Sequence, residues 1–409
     1  MRRQRAILAY VGLLAAAALK AQATAESAPT PTPTPKPEKP AEKPISYVEG
    51  RGIVFRTPDN MFEGSLGFNL QTRYTNFDID DRFGGIDANQ FRVRRFKLFM
   101  NGFFFDPRLT WRLQLAFESS VASRTLDDAW LGWKFADAAQ IQMGQYKTPY
   151  SRQELYNDGV LQFPERSLAT DAFKPSRDEG FMAFGSFCKG LFTYQAGVFG
   201  GTGQSNLRTN ESVMPVVRLV ANPIGTMGAS EADIQNHKEP ALSFGANGFT
   251  NTLRKLTDVA FEADLNYAGP AGWLGRNVGL FQLGEKVDIK SWGVDAQFKW
   301  HGFSLQGEGF WGQAEGQTSG VRLYAYGYYV QGGYFILPEK LDIAGRYSYV
   351  DYNRSVARGG FAVISAATSY YFRRNSLKVV LDYSRTHRKR PNGEPANDNA
   401  FIVQAQLMP

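Results

Sequence analysis

Short stretches in which apolar and polar residues alternate recur along most of this chain. Residues 109–118 read LTWRLQLAFE, so that every second position is strongly apolar. A period of two places these apolar side chains on one face of a β-strand and the polar ones on the other. The same alternation recurs in residues 66–74, 129–135, 292–300 and 341–349. The pattern predicts an all-β fold built from amphipathic strands.

The alternation breaks in residues 91–100, which read FRVRRFKLFM. A regular strand would turn two of the four cations onto the apolar face, where each would cost roughly 2–4 kcal/mol at the centre of a bilayer. One extra residue at Arg94–Arg95, a β-bulge, would reset the phase. The polar face would then hold Arg92, Arg94, Arg95 and Lys97. In the alternative, Arg92 or Lys97 lies at headgroup level and extends its side chain to water.

Connections between the predicted strands alternate between short and long. The short ones are centred on Asp106-Pro107, Lys189-Gly190, His301-Gly302, Pro338-Glu339 and Arg374-Asn375, and the long ones span 78–89, 147–179, 201–213, 313–321, 351–360 and 387–398. This alternation is typical of an outer-membrane β-barrel with tight periplasmic turns and long outer loops. With both termini periplasmic, the strand number is even. We predict a transmembrane antiparallel barrel of about 16 strands, or about 18 if residues 251–289 add a hairpin to the wall.

The two ends of the chain predict three parts. Residues 1–25 have a basic start, an apolar run and an A-x-A cleavage sequence, and we interpret them as a secretory signal. Residues 26–60 form a leader, and its Pro- and Thr-rich first part predicts an extended spacer. The leader is either a tether to peptidoglycan or a disordered approach to the first strand. Residues 61–409 form the barrel.

The composition argues against several classes of protein. One cysteine and three widely separated histidines give neither a disulfide framework nor metal-ligand spacing. Since no common catalytic motif is present, we predict that the protein is not an enzyme and binds no cofactor or metal. The formal charge of +7 falls to +3 when the four cations of the signal are removed, so nucleic-acid binding is not indicated.

Three stretches resemble the phosphate-selective porin O/P family of Gram-negative outer membranes. They are FRVRRFKLFMNGFFFDPRLTWRLQ at 91–114, GQYKTPYSRQELYNDGVLQFPERS at 144–167 and YGYYVQGGYFILPEKLDIAGRYSYVDYN at 326–353. The resemblance implies a 16-stranded barrel, commonly trimeric, whose third outer loop folds inward as a constriction. That loop corresponds here to residues 147–179. The resemblance also implies a row of lumen arginines that guides anions, with Arg94 and Arg95 at the matching positions.

Cations on the lumen face are expected to attract anions, because a low-dielectric wall focuses their potential and guanidinium groups bind phosphate through paired donors. The wall candidates are Arg73, Arg92, Arg94, Arg95, Lys97, Arg112 and Lys134, and the constriction loop adds Lys147, Arg152, Arg166, Lys174 and Arg177. We therefore predict a water-filled channel for small anions, with phosphate and polyphosphate as candidate solutes. The basic tract 385–390 is either a contact for lipopolysaccharide or a solubilising loop tip.

Two departures from the family pattern keep other functions open. The constriction loop also carries the acids Glu154, Asp158, Glu165, Asp171 and Asp178, which favours a general diffusion porin without phosphate selectivity. The chain ends on Pro409 rather than on the aromatic residue that usually closes such barrels. A non-conducting barrel anchored to the cell wall is the third alternative. An open lumen would argue against that alternative, and a plugged lumen would favour it.

Overall fold

A computed structural model defines the fold. It describes residues 44–80, 88–117, 126–204, 212–257, 260–261, 272–355, 360–389 and 394–409. The predicted signal sequence at 1–25 and residues 26–43 of the predicted leader lie outside the described residues.

The described residues form strands and a few short helices. The strands are β1 (Ile45–Val48), β2 (Gly52–Arg56), β3 (Phe62–Asp78), β4 (Ala88–Phe104), β5 (Asp106–Ala116), β6 (Leu126–Ala136), β7 (Ala139–Lys147), β8 (Arg177–Phe187), β9 (Phe192–Phe199), β10 (Met214–Ile224), β11 (Ala241–Thr257), β12 (Ala260–Phe261), β13 (Lys286–Trp300), β14 (Phe303–Gly316), β15 (Arg322–Leu337), β16 (Leu341–Asp351), β17 (Gly360–Arg373), β18 (Leu377–Lys389) and β19 (Pro395–Leu407). The helices are α1 (Arg152–Leu155) and α2 (Leu168–Phe173), and 3-10 turns occupy Asp158–Val160, Cys188–Gly190 and Gly275–Leu280. None of these described helices is long and apolar enough to cross a membrane.

The strands make one antiparallel sheet that closes on itself. Sixteen of them form the ring, which β19 completes by pairing with β3. The prediction of 16 strands is confirmed, because β11 pairs directly with β13 and the described part of the intervening tract adds no strand to the ring. Strand β12 pairs only with the end of β11. The hairpin of β1 and β2 lies outside the ring, attached to β3, in a part of the leader where the sequence had predicted no strand.

The two faces of each ring strand differ as the alternation predicts. On β13, Trp292 and Val294 are 45% and 50% exposed on the outer face, while Ser291 and Asp295 are 2% and 5% exposed on the inner face. The outer face of a barrel in a membrane contacts lipid, so its exposed apolar residues are in a favourable environment. The polar side chains of the strands therefore collect in the lumen.

Strand β4 contains the predicted bulge. Gln71 of β3 lies opposite Arg95 and the next residue, Thr72, lies opposite Val93, so that Arg94 is the extra residue. The bulge turns two successive arginines to the same side of the sheet. Arg92, Arg94, Arg95 and Lys97 all lie on the lumen face, and the alternative with a cation at headgroup level is not adopted.

The turns at the periplasmic end are short, with one exception. Between β4 and β5 the chain turns at Phe105, with φ of 63°, so Pro107 belongs to β5 and the turn is tighter than predicted. Between β10 and β11, however, residues 225–240 fold from the periplasmic end into the barrel. We call residues 225–240 the periplasmic insert. Its length departs from the pattern of tight periplasmic turns on which the predicted strand number was based.

Deletion of Arg94 should be tolerated, because it removes only the bulged residue and leaves a regular strand with Val93 outward and Arg95 inward. The matched deletion of Phe96 makes Arg95 and Lys97 neighbours, and a pleated strand must then turn one of them toward lipid. We expect refolding into detergent to proceed for the first deletion and to fail or lose most of its yield for the second. Heat-modifiable migration in electrophoresis measures the folded fraction. Equal yields would contradict the assigned register.

Candidate functional site

The third outer loop, residues 148–176, runs into the barrel rather than over its rim. Its helices begin with side-chain caps, since Ser151 Oγ accepts the N–H of Glu154 and Ser167 Oγ accepts the N–H of Thr170. The loop contacts strands on several sides of the lumen, because side chains of β4, β13, β16 and β18 all bond to it. The predicted inward fold of residues 147–179 is confirmed.

One side of the lumen is filled by an apolar cluster. Phe173 of α2 stacks on Phe310 of β14 at 5.6 Å and on Trp273 at 6.0 Å between ring centroids. Tyr150 packs against Phe249 and Phe310 at 5.2 and 5.9 Å. Trp273 belongs to the tract 272–285, which enters the lumen between β11 and β13. The outer half of the barrel is therefore sealed along β11 and β13–β16.

Below this cluster, charged groups attach the loop to the same wall. Arg152 Nε lies 2.6 Å from Asp295 Oδ1, and Arg218 of β10 lies 2.6 Å from the other oxygen of that carboxylate. Glu308 of β14 accepts the backbone N–H groups of Arg152 and Gln153 at 2.8 and 2.7 Å. Arg152 is thus buried in a structural contact rather than presented to a solute.

On the opposite wall, three arginines converge on one carboxylate of the loop. Glu165 accepts from Arg73, Arg94 and Arg95, each at 2.6 Å. Burial raises the pKa of Glu165, but the charges of Arg95, Arg94 and Arg73 outweigh burial and hold that pKa well below its usual range. Three cations around one anion leave a local excess of positive charge. We call Arg73, Arg94, Arg95 and Glu165 the arginine cluster.

A second charged group lies toward the periplasm from the arginine cluster. Lys97 Nζ lies 2.8 Å from Asp158 of the loop and 3.0 Å from Asp127 of β6. Asp158 also accepts from Arg166 at 2.6 Å. Burial raises the pKa of Asp158, but Lys97, Arg166 and Arg95 together hold it well below its usual range. These pairs fix the depth to which the loop descends.

The structure brings together some of the predicted site residues and separates others. Arg73, Arg94 and Arg95 meet at Glu165, and Arg112 and Arg177 meet at Asp128 at 3.0 and 2.7 Å. The loop cations Lys147, Arg152, Arg166 and Lys174 are held by oxygens of the loop and wall. Lys134 pairs instead with Asp137 at the periplasmic turn, at 2.6 Å, and does not extend the arginine row.

The sequence did not indicate Arg346 of β16 as a site residue. Its Nη1 donates to the carbonyl of Glu165 at 2.8 Å, and its guanidinium lies 4.3 Å from the ring centre of Phe163. Alternation alone placed Arg346 on the polar face of its strand. Its distance of 181 residues from Glu165 along the chain left no local signal for the contact.

The periplasmic insert is the second feature that the sequence did not reveal. Glu231 is 1% exposed, and its carboxylate accepts Gln153 and Gln306 side chains at 2.8 and 2.9 Å and the N–H of Gln162 at 2.7 Å. Lys299 of β13 donates to the carbonyl of Met227 at 2.7 Å. The insert therefore meets the third outer loop inside the lumen. The only hint in the sequence was the length of residues 225–240, because the other connections at the periplasmic end are short.

The family model of phosphate-selective porin O and P matches residues 65–408. This chain belongs to that family. The porin is 26% identical over 246 residues to an uncharacterized protein of Caulobacter vibrioides and 24% identical over 271 residues to one of Aquifex aeolicus. These matches cover 59% and 61% of the porin. It spans about half the length of the first relative, 48%, and 60% of the second.

Solved structures share the fold of the porin. The anion-selective porin from Comamonas acidovorans superposes with a TM-score of 0.58 at 8% identity, over 84% of the porin and 99% of that chain. The outer-membrane channel DcaP of Acinetobacter baumannii gives 0.54 at 11%, over 87% and 99%. The trimer form of OmpT from Vibrio cholerae gives 0.54 at 12%, over 84% and 99%. The family model and these superpositions agree on a porin β-barrel fold.

The low pKa values of Glu165 and Asp158 predict how the loop responds to acid. A carboxyl whose pKa is lower in the folded protein than in the unfolded chain stabilises the fold above its unfolded pKa, about 4, and this stability is lost as pH falls through the folded value. We expect residues 152–173 to keep their protection from pH 7 to 5 and to lose it only below about pH 4. Hydrogen exchange read by mass spectrometry, corrected for intrinsic rate, measures this. Loss of protection between pH 7 and 5 would contradict the assigned ion pairs.

Proposed function

We propose that the porin conducts small anions across the outer membrane and that the arginine cluster attracts them. The observation that carries the proposal is the convergence of Arg73, Arg94 and Arg95 on the single carboxylate of Glu165. The side chains of Arg94 and Glu165 remain 23% and 32% exposed, so the cluster borders water in the lumen. A positive potential beside a low-dielectric wall raises the local concentration of anions.

Phosphate or polyphosphate is the solute class that the cluster fits best. Guanidinium groups bind a phosphate through two parallel hydrogen bonds, and a phosphate group offers the same acceptor geometry as the Glu165 carboxylate. A channel also needs sites weak enough to release the ion. Competition between Glu165 and the solute for the same guanidinium donors would keep the affinity of the site for the anion low enough for release. The family name and the anion-selective porin of Comamonas acidovorans support this proposal.

The packing of the lumen supports a second candidate function. The third outer loop, the tract 272–285 and the periplasmic insert occupy much of the described lumen, and most loop cations are paired with acids. A lumen filled in this way favours the non-conducting anchoring barrel, with the leader at 26–60 as a tether to peptidoglycan. Paired loop charges without net excess favour a general diffusion porin. Conductance and ion preference separate the three functions.

Partners of the barrel are part of the proposal. A homotrimer is supported by the trimer form of OmpT, which shares the fold. Lipopolysaccharide phosphates are a candidate ligand of the tract 385–390. In that tract Arg388 pairs with Asp398 at 2.8 Å, while Arg385 is exposed on the outward face of β18. Export by the signal sequence at 1–25 remains a prediction.

The test is a planar-bilayer recording of the purified mature protein in a KCl gradient. We expect a reversal potential that favours chloride, and a chloride current that millimolar phosphate reduces at least twofold. Replacement of Arg94 by Gln should weaken both effects, because one guanidinium of the cluster is lost. The matched control is Arg108→Gln, since Arg108 pairs with Asp106 at the exposed periplasmic turn.

Each other outcome of this recording has a definite meaning. A channel without anion preference would leave a general diffusion porin, and the arginine cluster would then only hold the loop. The absence of any conductance would refute the channel proposal and favour the anchoring barrel. Equal effects of Arg94→Gln and Arg108→Gln would show that the arginine cluster is not the cause of the anion preference.

A further inference from the structure

We infer that the solute path is not a straight central pore but crosses at strand β4, past the ion pair of Lys97 and Asp158. The path would enter through an outer space along β17–β19, β3 and β4. It would leave through a periplasmic space along β5–β9. The inference deepens the proposed function and rests on it, since it locates the route and names the residues that select the solute.

The outer space is shown by which lumen-facing side chains keep contact with water. In the outer half of the barrel, Val363 of β17, Ser384 and Thr386 of β18 and Arg94 of β4 are partly exposed. On the other side of the same half, Leu323 and the other inner residues of β14–β16 are fully covered by α2 and the tract 272–285. Among the described residues, the outer half of the lumen therefore keeps partly exposed side chains along β17, β18 and β4, whereas those along β14 and β15 are covered.

The periplasmic half shows the opposite distribution. The periplasmic insert and Gln162 of the third outer loop together cover the inner face of β13–β18, where Lys299, Ser304 and Asp342 are between 1% and 3% exposed. The inner faces of β5–β9 are not covered in this way. There Arg112, Gln140, Ser186 and Thr193 are partly exposed.

Among the described residues, the two spaces adjoin at β4 and β5. Along β4 from Arg92 toward the periplasm, the next lumen-facing cations are Arg94, Arg95 and Lys97, and Arg112 follows on β5 opposite Asn101. We call the stretch from Arg94 to Arg112 the cation row. The side chains at the two ends of this row are partly exposed, 23% for Arg94 and 25% for Arg112. The side chains between them are covered, 5% for Arg95 and 10% for Lys97. The covered pair, Arg95 and Lys97, therefore marks the closed part of the route.

Asp158 is the selecting residue at this crossing. It lies 2.8 Å from Lys97, 2.6 Å from Arg166 and 3.7 Å from Arg95, and Asp127 faces Lys97 from β6 at 3.0 Å. An anion that moves along the cations must replace Asp158 as the partner of Lys97. The carboxylate of Asp158 thus opposes the passage of anions and closes the route between solutes.

The route is tested with four serine-to-cysteine variants made in a Cys188→Ser background, because native Cys188 is exposed. Ser384 and Ser186 lie on the proposed route, in the outer and periplasmic spaces. Ser348 and Ser304 lie at similar depths on the sealed side and are 1% and 3% exposed. The probe is a negatively charged methanethiosulfonate. Its reaction is measured by mass spectrometry of the folded full-length protein and by the change in bilayer current.

We expect the cysteines at 384 and 186 to react at least tenfold faster than those at 348 and 304, and their modification to reduce the current at least twofold. Equal rates at all four positions, or faster reaction on the sealed side, would overturn the inference. Mass spectrometry gives this answer whether or not the protein conducts. The labelling rates can thus refute the proposed route even if the protein conducts anions. The bilayer recording can refute anion conduction whatever the labelling rates are.

The role of Asp158 is tested by Asp158→Asn, with Asp342→Asn as the matched control on the sealed side. Asp342 is also a buried carboxylate that contacts the loop, through Gln162 at 2.9 Å. We expect the first substitution to raise conductance and the chloride-to-potassium permeability ratio at least twofold, and the second to change neither by more than a third. Heat-modifiable migration confirms that both variants are folded. Equal effects of the two substitutions would remove Asp158 from the route.

Discussion

A charged side chain on a barrel strand can point into the lumen at little cost in free energy, whereas pointing into lipid is strongly unfavourable. Lipid on the outer face makes each misplaced cation costly, and this cost forces the bulge at Arg94. Once Arg92, Arg94, Arg95 and Lys97 all face inward, their charges need partners inside the barrel. For Arg94, Arg95 and Lys97 the third outer loop supplies these partners as Glu165 and Asp158. The constraint at the lipid face therefore sets the arrangement of the lumen.

Ion pairs of this kind fix a position more clearly than they add stability. Removing charges from water costs about as much as their attraction returns, while leaving one member of a buried pair alone is strongly unfavourable. The loop is consequently held at the depth where Arg152 meets Asp295, Arg166 meets Asp158 and the arginine cluster surrounds Glu165. Apolar packing of Phe173 and Tyr150 adds the stabilising contribution on the other side of the lumen.

The proposed function follows from the asymmetry between these two sides. One wall is covered by aromatic and fully bonded polar groups, and the other keeps partly exposed cations beside water. A passage confined to the cationic wall brings every solute within reach of guanidinium groups. Filling most of the lumen is then compatible with conduction, because it forces solutes onto the selecting surface rather than past it.

The strands, their outward faces and the bulge followed from the sequence, because a period of two and the cost of a cation in lipid are local properties. The inward fold of the third outer loop was expected only from the family resemblance, because no local pattern in residues 147–179 specifies it. The prediction that lumen arginines guide anions came from family resemblance, and the structure added their convergence on Glu165. The contacts of Arg346 and Lys134 and the burial of the loop cations depend on partners far away in sequence, which alternation cannot specify. The periplasmic insert was missed for the same reason, since Glu231 meets the loop only after the ring has closed and brought both into one lumen.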